Sequence, residues 1–491
     1  MEETKDLIQQ RRQKLNEIRE LGVEPYPHKY EPTHSTVEIH KDFGDVQETP
    51  DETKTVRIAG RIMTKRDHGK SSFAHLQDGE GKIQIYVRRD KIGAAPYIIY
   101  RRFDSGDIIG VEGTVFRTRT GELTVLADAV QLLSKSIRPL PEKWHGLQDK
   151  QTRYRQRYAD LIMNPEVKDV FLKRTQIVQA IRDMLNAQNF IEVETPVLQP
   201  IYGGANARPF TTYHNTLEQS LYLRIANELY LKRLIVGGFE RVYEFSRDFR
   251  NEGMDRDHNP EFTMLELYQA YADYHQIMEL TETLIAETVK TIHGTTKIHY
   301  QAHELDFTPP WRRLRMVDAV REHSGIDPVP LSADELYKEA VNAGVNNLAG
   351  DETKGEIIAE LFDTFAESKL IQPTFITDYP IEVSPFAKKK PEDPAFVERF
   401  ECFICGMEVV NAFSELNDPI DQRQRFLEQA SNLEAGDDEA FMVDEDYLRA
   451  LEYGMPPTGG LGIGIDRLTM LLTNQYSIRD VILFPQMRPE N

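Results

Sequence analysis

The sequence predicts a multidomain protein in which an all-β barrel near the N-terminus precedes a larger α+β domain. Three observations carry this. A chain of 491 residues, 40% hydrophobic and 28% charged, has the composition of a folded protein but is too long for one compact core. Short strand-like segments dominate residues 54–137, whereas long amphipathic helices alternate with strands from 151 onward. The charge divides the same way: the net formal charge is -21, yet residues 54–150 hold 18 Lys or Arg against 11 Asp or Glu. A basic module on an acidic body fits one localised anionic partner better than indiscriminate nucleic-acid binding.

Taken in order, residues 4–21 are strong helix formers without interior Pro or Gly, and the Pro-rich EPYPHKYEP ends them; residues 1–53 are thus a helix and an extended lead-in. Residues 54–137 read as five short strands, TVRIAGRIMTKR, SSFAHLQD, GKIQIYVRR, DIIGVEGTVFRT and GELTVLADAVQLLSK, broken by turn signals such as DHGK and DGEG. Five strands in a basic segment of this length suggest an oligonucleotide-binding (OB) barrel. Phe73 could offer an unpaired base an aromatic face, although periodicity alone favours a place in the barrel core. A Pro-containing linker at 138–150 leads into the α+β domain of 151–491. There, helices are expected over 168–188 and 272–292, and a mostly helical insertion over about 316–370. No apolar run approaches the roughly 18 residues a membrane span needs, and the polar start lacks the apolar core of a secretory signal. A cytoplasmic protein without membrane partners is expected. Cys402 and Cys405, the only cysteines, exclude a disulfide scaffold, and no further Cys or His pair completes a zinc site.

Three segments of the larger domain are hard to explain as packing. In EFSRDFRNEGMDRDHNPEFTMLELYQAY, residues 244–271, a strand, a polar turn and a second strand put Phe262, Met264, Glu266 and Tyr268 on one face. Arg250 and Glu252 are expected to share a face of the first strand, with His258 and Asn259 in the turn. Arg suits bidentate contact with phosphate or carboxylate, and Glu252 suits an amino group such as that of adenine. In ERFECFICGMEVVNAFSELND, residues 398–418, a two-residue turn at Cys405 and Gly406 pairs 403 with 408 and 401 with 410. Glu401, Phe403, Glu408 and Val410 then face one way, and two carboxylates there invite Mg²⁺ held together with ATP phosphates. Asn411, Phe413 and Glu415 have the other parity, so a bulge near 409–411 is needed to bring them into the same pocket. In PPTGGLGIGIDRLTMLL, residues 456–472, a Gly-rich strand runs into a helix with Arg467 in its first turn. Only about twenty residues follow, too few for a dinucleotide-binding fold.

NFIEVETPVLQP with Pro196, FRNEG at 249–253 and GLGIGIDR at 460–467, in this order behind a barrel, resemble the three motifs of the class II aminoacyl-tRNA synthetases. In KWHGLQD, RYRQRYADLI, GGANARPF, HNPEFTMLELY, NAFSELND and RDVILFPQMRP the chain is similar to the lysine-specific members of compact bacterial type, over essentially its whole length. The resemblance implies a catalytic domain on an antiparallel sheet and ligation of L-lysine to tRNA(Lys) through a lysyl-adenylate, with AMP and pyrophosphate released. It implies that Arg250 bridges the lysine carboxylate and the ATP α-phosphate, that Phe262 stacks on adenine, and that Glu252 reads its amino group. Arg467 and His258, with Asn259 beside them, fall at the ATP phosphates, and Glu401 and Glu408 hold Mg²⁺. Gly204 and Glu228 take the lysine α-amino group, Asn411 lies near the carboxylate, Glu415 and Tyr268 take the side-chain ammonium, and Glu266 and Phe413 complete that pocket. Phe73, Gln84 and Glu122 fall where the family reads the anticodon. The first motif implies a homodimer. Bacterial relatives often carry glycines on both sides of the asparagine, so Val410 and Ala412 are expected to mark a difference in pocket size. An aspartate- or asparagine-specific relative would call for a cationic pocket instead of Glu415 and Tyr268. An inert paralogue would be expected to lack Arg250, Arg467 or the paired glutamates.

Overall fold

Alternation of apolar and polar residues closes the N-terminal barrel. β1 (Thr55–His68), β2 (Ser71–Gln77), β3 (Lys82–Arg88), β4 (Ile108–Arg117) and β5 (Leu123–Ser134) join in the order β1-β2-β3-β5-β4, with β1 and β4 closing the ring. Ile58, Ile62, Leu76, Ile85 and Val125 point inward and are almost wholly buried, while the residues between them face out. This is the five-stranded OB barrel the sequence implies. The helices Arg89–Ile92 and Ala94–Tyr100 after β3 were not foreseen, because KIGAAPYIIY has no caps at sequence level and its helices are short. Helix Glu2–Glu20 is tied to the same unit by Ile18, buried in the barrel core, and by Lys14 paired with Asp104 at 2.5 Å.

In the computed structural model, residues 2–50, 53–141, 147–434 and 442–490 are described, and the chain divides into two compact units between Gln148 and Asp149. Residues 142–146 of the expected linker, which include the first four residues of KWHGLQD, lie outside the described residues.

The second unit is built on one eight-stranded sheet. Its strands run Arg312–Arg315, Thr374–Pro380, Phe396–Ile404, Met407–Ser414, Thr458–Gly464, Glu261–Ala270, Arg241–Phe249 and Ile191–Glu192. The six inner strands pair antiparallel, as expected, while both edge pairs are parallel, so the sheet as a whole is mixed. The reason is connectivity: parallel strands need a crossover, and at one edge it is the helical segment Met316–Ser324, Ala333–Asn342 and Lys354–Phe365.

One face of the sheet is sealed by helices Pro165–Ala187, Tyr274–His293 and Ile465–Leu472. Helix Tyr274–His293 begins with a capping box between Asp273 and Gln276 and buries Ile277, Leu284, Ile285 and Val289 at helical spacing. The other face packs two further apolar clusters, one on Val242 and Ala270 and one on Ile376, Val397 and Phe403, and carries the polar residues of the site between them. Among the described residues, no helix is long and apolar enough to cross a membrane.

Candidate functional site

The two-residue strand period sends Leu265 and Leu267 into the core and Met264, Glu266 and Tyr268 to the open face. The neighbouring strand pairs Gly460 with Tyr268 and Gly462 with Glu266. A Cβ at Gly460 would lie 2.0 Å from Glu415 Oε1 and 2.6 Å from the Tyr268 ring, so the glycine makes the room that both functional side chains occupy. Gly204, at φ +89°, turns the chain past Glu228 on the rim.

The hairpin beside this strand carries the bulge the sequence requires. Cys405 and Gly406, both at positive φ, make the turn; Phe403 pairs with Glu408, but Cys402 pairs with Val410, leaving Val409 as the extra residue. Glu401 therefore pairs with Asn411 and not with residue 410. The slip brings Asn411 and Phe413, and Glu415 beyond them, into the cavity that Glu401 and Glu408 also line. It also turns Val410 and Ala412 into the hydrophobic core, away from the cavity. Neither residue lines the cavity.

The resulting cavity holds about 310 Å³. Six carboxylates line it, from Glu228, Asp248, Glu266, Glu401, Glu408 and Glu415, against the guanidinium groups of Arg250 and Arg399. Burial pushes the Glu415 carboxyl up to about 8, with Lys232 opposing and Glu228 reinforcing the shift. Burial raises Asp248 to about 7 against Arg224 and Arg250, and raises Glu266 well above its usual range, helped by repulsion from Glu228 and Asp248. Tyr268 donates to Glu266 Oε2 at 3.2 Å, and Glu415 Oε1 is buried without a hydrogen-bond partner. Such a surplus of buried acceptors is costly until a ligand brings ammonium groups.

A second cavity of about 200 Å³ adjoins the first, and Arg250, Met264, Glu408, Asn411 and Gly462 line both. Strand Arg241–Phe249 ends one residue before Arg250, so Arg250 and Glu252 lie in the loop beyond it and do not share a strand face. Arg250 lies over the Phe262 ring at 5.2 Å, and its buried Nε lacks a partner. Glu252, His258, Asn259 and Arg467 also line it. Arg467 donates to the Glu408 carbonyl at 2.6 Å and approaches His258 Nε2 at 3.1 Å, while His258 Nδ1 lies 2.8 Å from Asp255. Asn259 spends its amide locally, donating to the Glu261 carbonyl and accepting from the Gln486 N–H. The two cavities form a charged, continuous groove with a free guanidinium edge at their junction.

Glu401 accepts from Tyr379 Oη at 2.8 Å and pairs with Arg399 at 2.5 Å; burial, followed by repulsion from Glu408, raises it to about 7. Arg399 also donates to Asn411 Oδ1 at 3.1 Å, fixing the asparagine. Neither Arg399 nor Tyr379 was singled out from sequence. Arg399 could have been, since it shares the strand face of Glu401 two residues away. Lys232, buried between Glu228 and Glu415, was also missed; its signal is the i,i+4 spacing from Glu228.

On the barrel, Phe73 is not a core residue. It lies outside on β2, its ring stacked on Tyr86 at 4.3 Å and 10°. Beside it, Glu122 accepts from Gln84 at 2.6 Å and meets His75 Nε2 at 2.8 Å, while Thr124 donates to Gln84 Oε1. The three residues picked from sequence thus meet on one outer face, joined by Tyr86 and His75, which were not picked.

Residues 149–488 match the family of class II tRNA synthetases (D, K and N), and residues 56–133 match the OB-fold nucleic acid binding domain. The lysine–tRNA ligase of Thermoanaerobacter sp. (strain X514) is 58% identical over 100% of this chain and 97% of its own. That of Pelotomaculum thermopropionicum is 57% identical over 99% and 96%, and that of Clostridium tetani 52% over 99% and 97%. With the motif order, the barrel and the two joined cavities already in place, these matches over the whole length establish that the chain belongs to the class II tRNA synthetases.

Proposed function

We propose that the chain ligates L-lysine to tRNA(Lys) with ATP, through a lysyl-adenylate. The observation that carries this is the junction at Arg250 between a carboxylate-lined cavity and a second one walled by Phe262, Glu252 and Arg467. Lysine would place its α-ammonium on Glu228 beside Gly204 and its side-chain ammonium on Glu415 and Tyr268, with Glu266 and Phe413 around the chain. Its carboxylate would then meet Arg250 near Asn411. Adenine would stack on Phe262 with its amino group toward Glu252, and the phosphates would run toward His258 and Arg467.

A carboxylate is already a nucleophile at neutral pH, so no general base is required. Catalysis would come from alignment and from charge stabilisation at Arg250. The lysine carboxylate oxygen attacks the α-phosphorus and pyrophosphate leaves. The 3′-hydroxyl of the terminal ribose of tRNA then attacks the lysyl carbonyl, and AMP leaves. The mutual repulsion of Glu401 and Glu408 suits a divalent cation, and Mg²⁺ bound there with ATP would neutralise phosphate charge.

The outer barrel face would read the anticodon, through stacking on Phe73 and hydrogen bonding to Gln84 and Glu122. Exposed Ile191, Val197, Leu198 and Tyr213 around Pro196 support a homodimer, and a cytoplasmic location goes with this function. Amino-acid-dependent ATP–pyrophosphate exchange across the amino-acid panel tests the proposal. Exchange with lysine and not with aspartate or asparagine is expected, and no exchange with lysine would overturn it.

A further inference from the structure

Lys232 is a buried cation that pairs with two of the cavity's carboxylates without lining the cavity itself. It projects from helix Glu228–Val236, its side chain fully buried, and lies behind the wall formed by Glu228 and Glu415. Its ammonium pairs with Glu228 through Oε1 and with Glu415 through Oε2. The remaining oxygen of each carboxylate is directed at the cavity rim: Glu228 Oε2 toward Gly204, and Glu415 Oε1, without a partner, toward Gly460. The rings of Phe386, Phe413 and Tyr268 surround the ammonium at 5.1, 5.4 and 5.9 Å, leaving it little freedom to move.

We infer that Lys232 is a positioning residue that sets substrate length: by holding one oxygen of each carboxylate from behind, it fixes the separation between the two acceptors offered to a diamino substrate. The inference rests on the assignment of Glu228 and Glu415 to the two amines of the substrate. Neither carboxylate alone measures length. A shared buried cation makes them one rigid pair, so a substrate whose amines are closer by one methylene satisfies one acceptor and leaves the other unpaired. One ammonium cannot neutralise both carboxylates once both are ionised, so the ionised pair still attracts a substrate ammonium.

The test compares wild-type protein with Lys232→Met, similar in length but uncharged, and Lys232→Arg, in exchange assays with lysine and with ornithine, which is one methylene shorter. For Lys232→Met, KM for lysine is expected to rise about tenfold or more, with a smaller change in kcat, and the lysine-over-ornithine preference in kcat/KM to fall by about tenfold. KM for ATP is expected to stay within about threefold, a split that a general loss of structure would not produce. Lys232→Arg is expected to recover most of the lysine affinity. Should Lys232→Met not fold, Lys232→Gln carries the same expectations. An unchanged lysine KM and unchanged preference, or an Arg variant no better than Met, overturns the inference. Glu228→Gln and Glu415→Gln are measured alongside: if neither raises the lysine KM, the assignment of the amine subsites fails. If both do and the Lys232 variants do not, only the role of Lys232 fails.

Discussion

The outer face of the barrel and the cavity of the catalytic unit use the same residue types in opposite settings. Glu122 on the barrel is 45% exposed and hydrogen-bonds with Gln84 and His75; Glu415 in the cavity is fully buried, its carboxylate paired with the Lys232 ammonium. Phe73 stacks on Tyr86 at the surface, whereas Phe413 lies beside a buried cation. An exposed polar network can exchange partners with water at little cost, which suits successive contacts with a flexible strand. A buried, incompletely paired carboxylate has no such alternative and discriminates sharply between ligands that supply a cation and ligands that do not.

If this contrast is right, the largest effects belong to the cavity. Glu415→Gln removes one charge from a buried pair worth about 3–5 kcal/mol, so kcat/KM for lysine in pyrophosphate exchange is expected to fall by on the order of 10³-fold. A change of less than tenfold would remove Glu415 from the ammonium site. Arg250→Ala deletes the cation at the junction, and a loss of roughly 10²–10³-fold in kcat is expected, with the lysine KM less affected. Phe73→Ala moves to the other side of the comparison. Loss of one base-stacking platform is worth about 1–3 kcal/mol, so the tRNA KM in aminoacylation is expected to rise roughly ten- to a hundredfold while pyrophosphate exchange is unchanged. A fall in exchange would couple the two regions and break the contrast.

How much of this was legible in the sequence follows the same division. Barrel strands, the Gly-rich strand and the helix bearing Arg467 could be read because period and turn residues act locally. The need for a bulge near 409–411 could also be read, from the clash of parity between Glu408 and Asn411, and the structure puts it at Val409. What the bulge does to Val410 could not, since its direction depends on which residue is left unpaired. Arg250 was misplaced on a strand because the end of pairing is set by the loop to Pro260 and not by local propensity. Lys232 and Arg399 escaped notice because a lone cation reads as a surface group until tertiary packing sets carboxylates around it. The parallel edges of the sheet depend on crossovers that no local pattern announces.

The smallest predicted effect is also the one that separates the regions most directly. Glu415 holds its proton up to about pH 8 in the empty cavity, since burial outweighs the attraction of Lys232 and Glu228 adds repulsion. Binding of a substrate ammonium requires the ionised form, so below pH 8 each lysine bound must release a proton. The lysine KM is therefore expected to rise about fivefold as pH falls from 8 to 7, and to level off as pH rises from 8 to about 9. Below 7 the slope is expected to steepen, as Asp248 and Glu401, both raised to about 7, take up protons in the same cavity. The sign is reversed for stability: because the folded pKa lies above the ordinary carboxylate range, the contribution of Glu415 to the empty protein declines as pH rises toward 8. Stabilisation by added lysine should accordingly grow over that interval in thermal unfolding. Glu415→Gln should flatten the slope between 7 and 8. The same titration read on the tRNA KM has no buried carboxylate on the Phe73 face to follow. A parallel rise there would mean that the pH effect acts on the whole protein and not on the cavity.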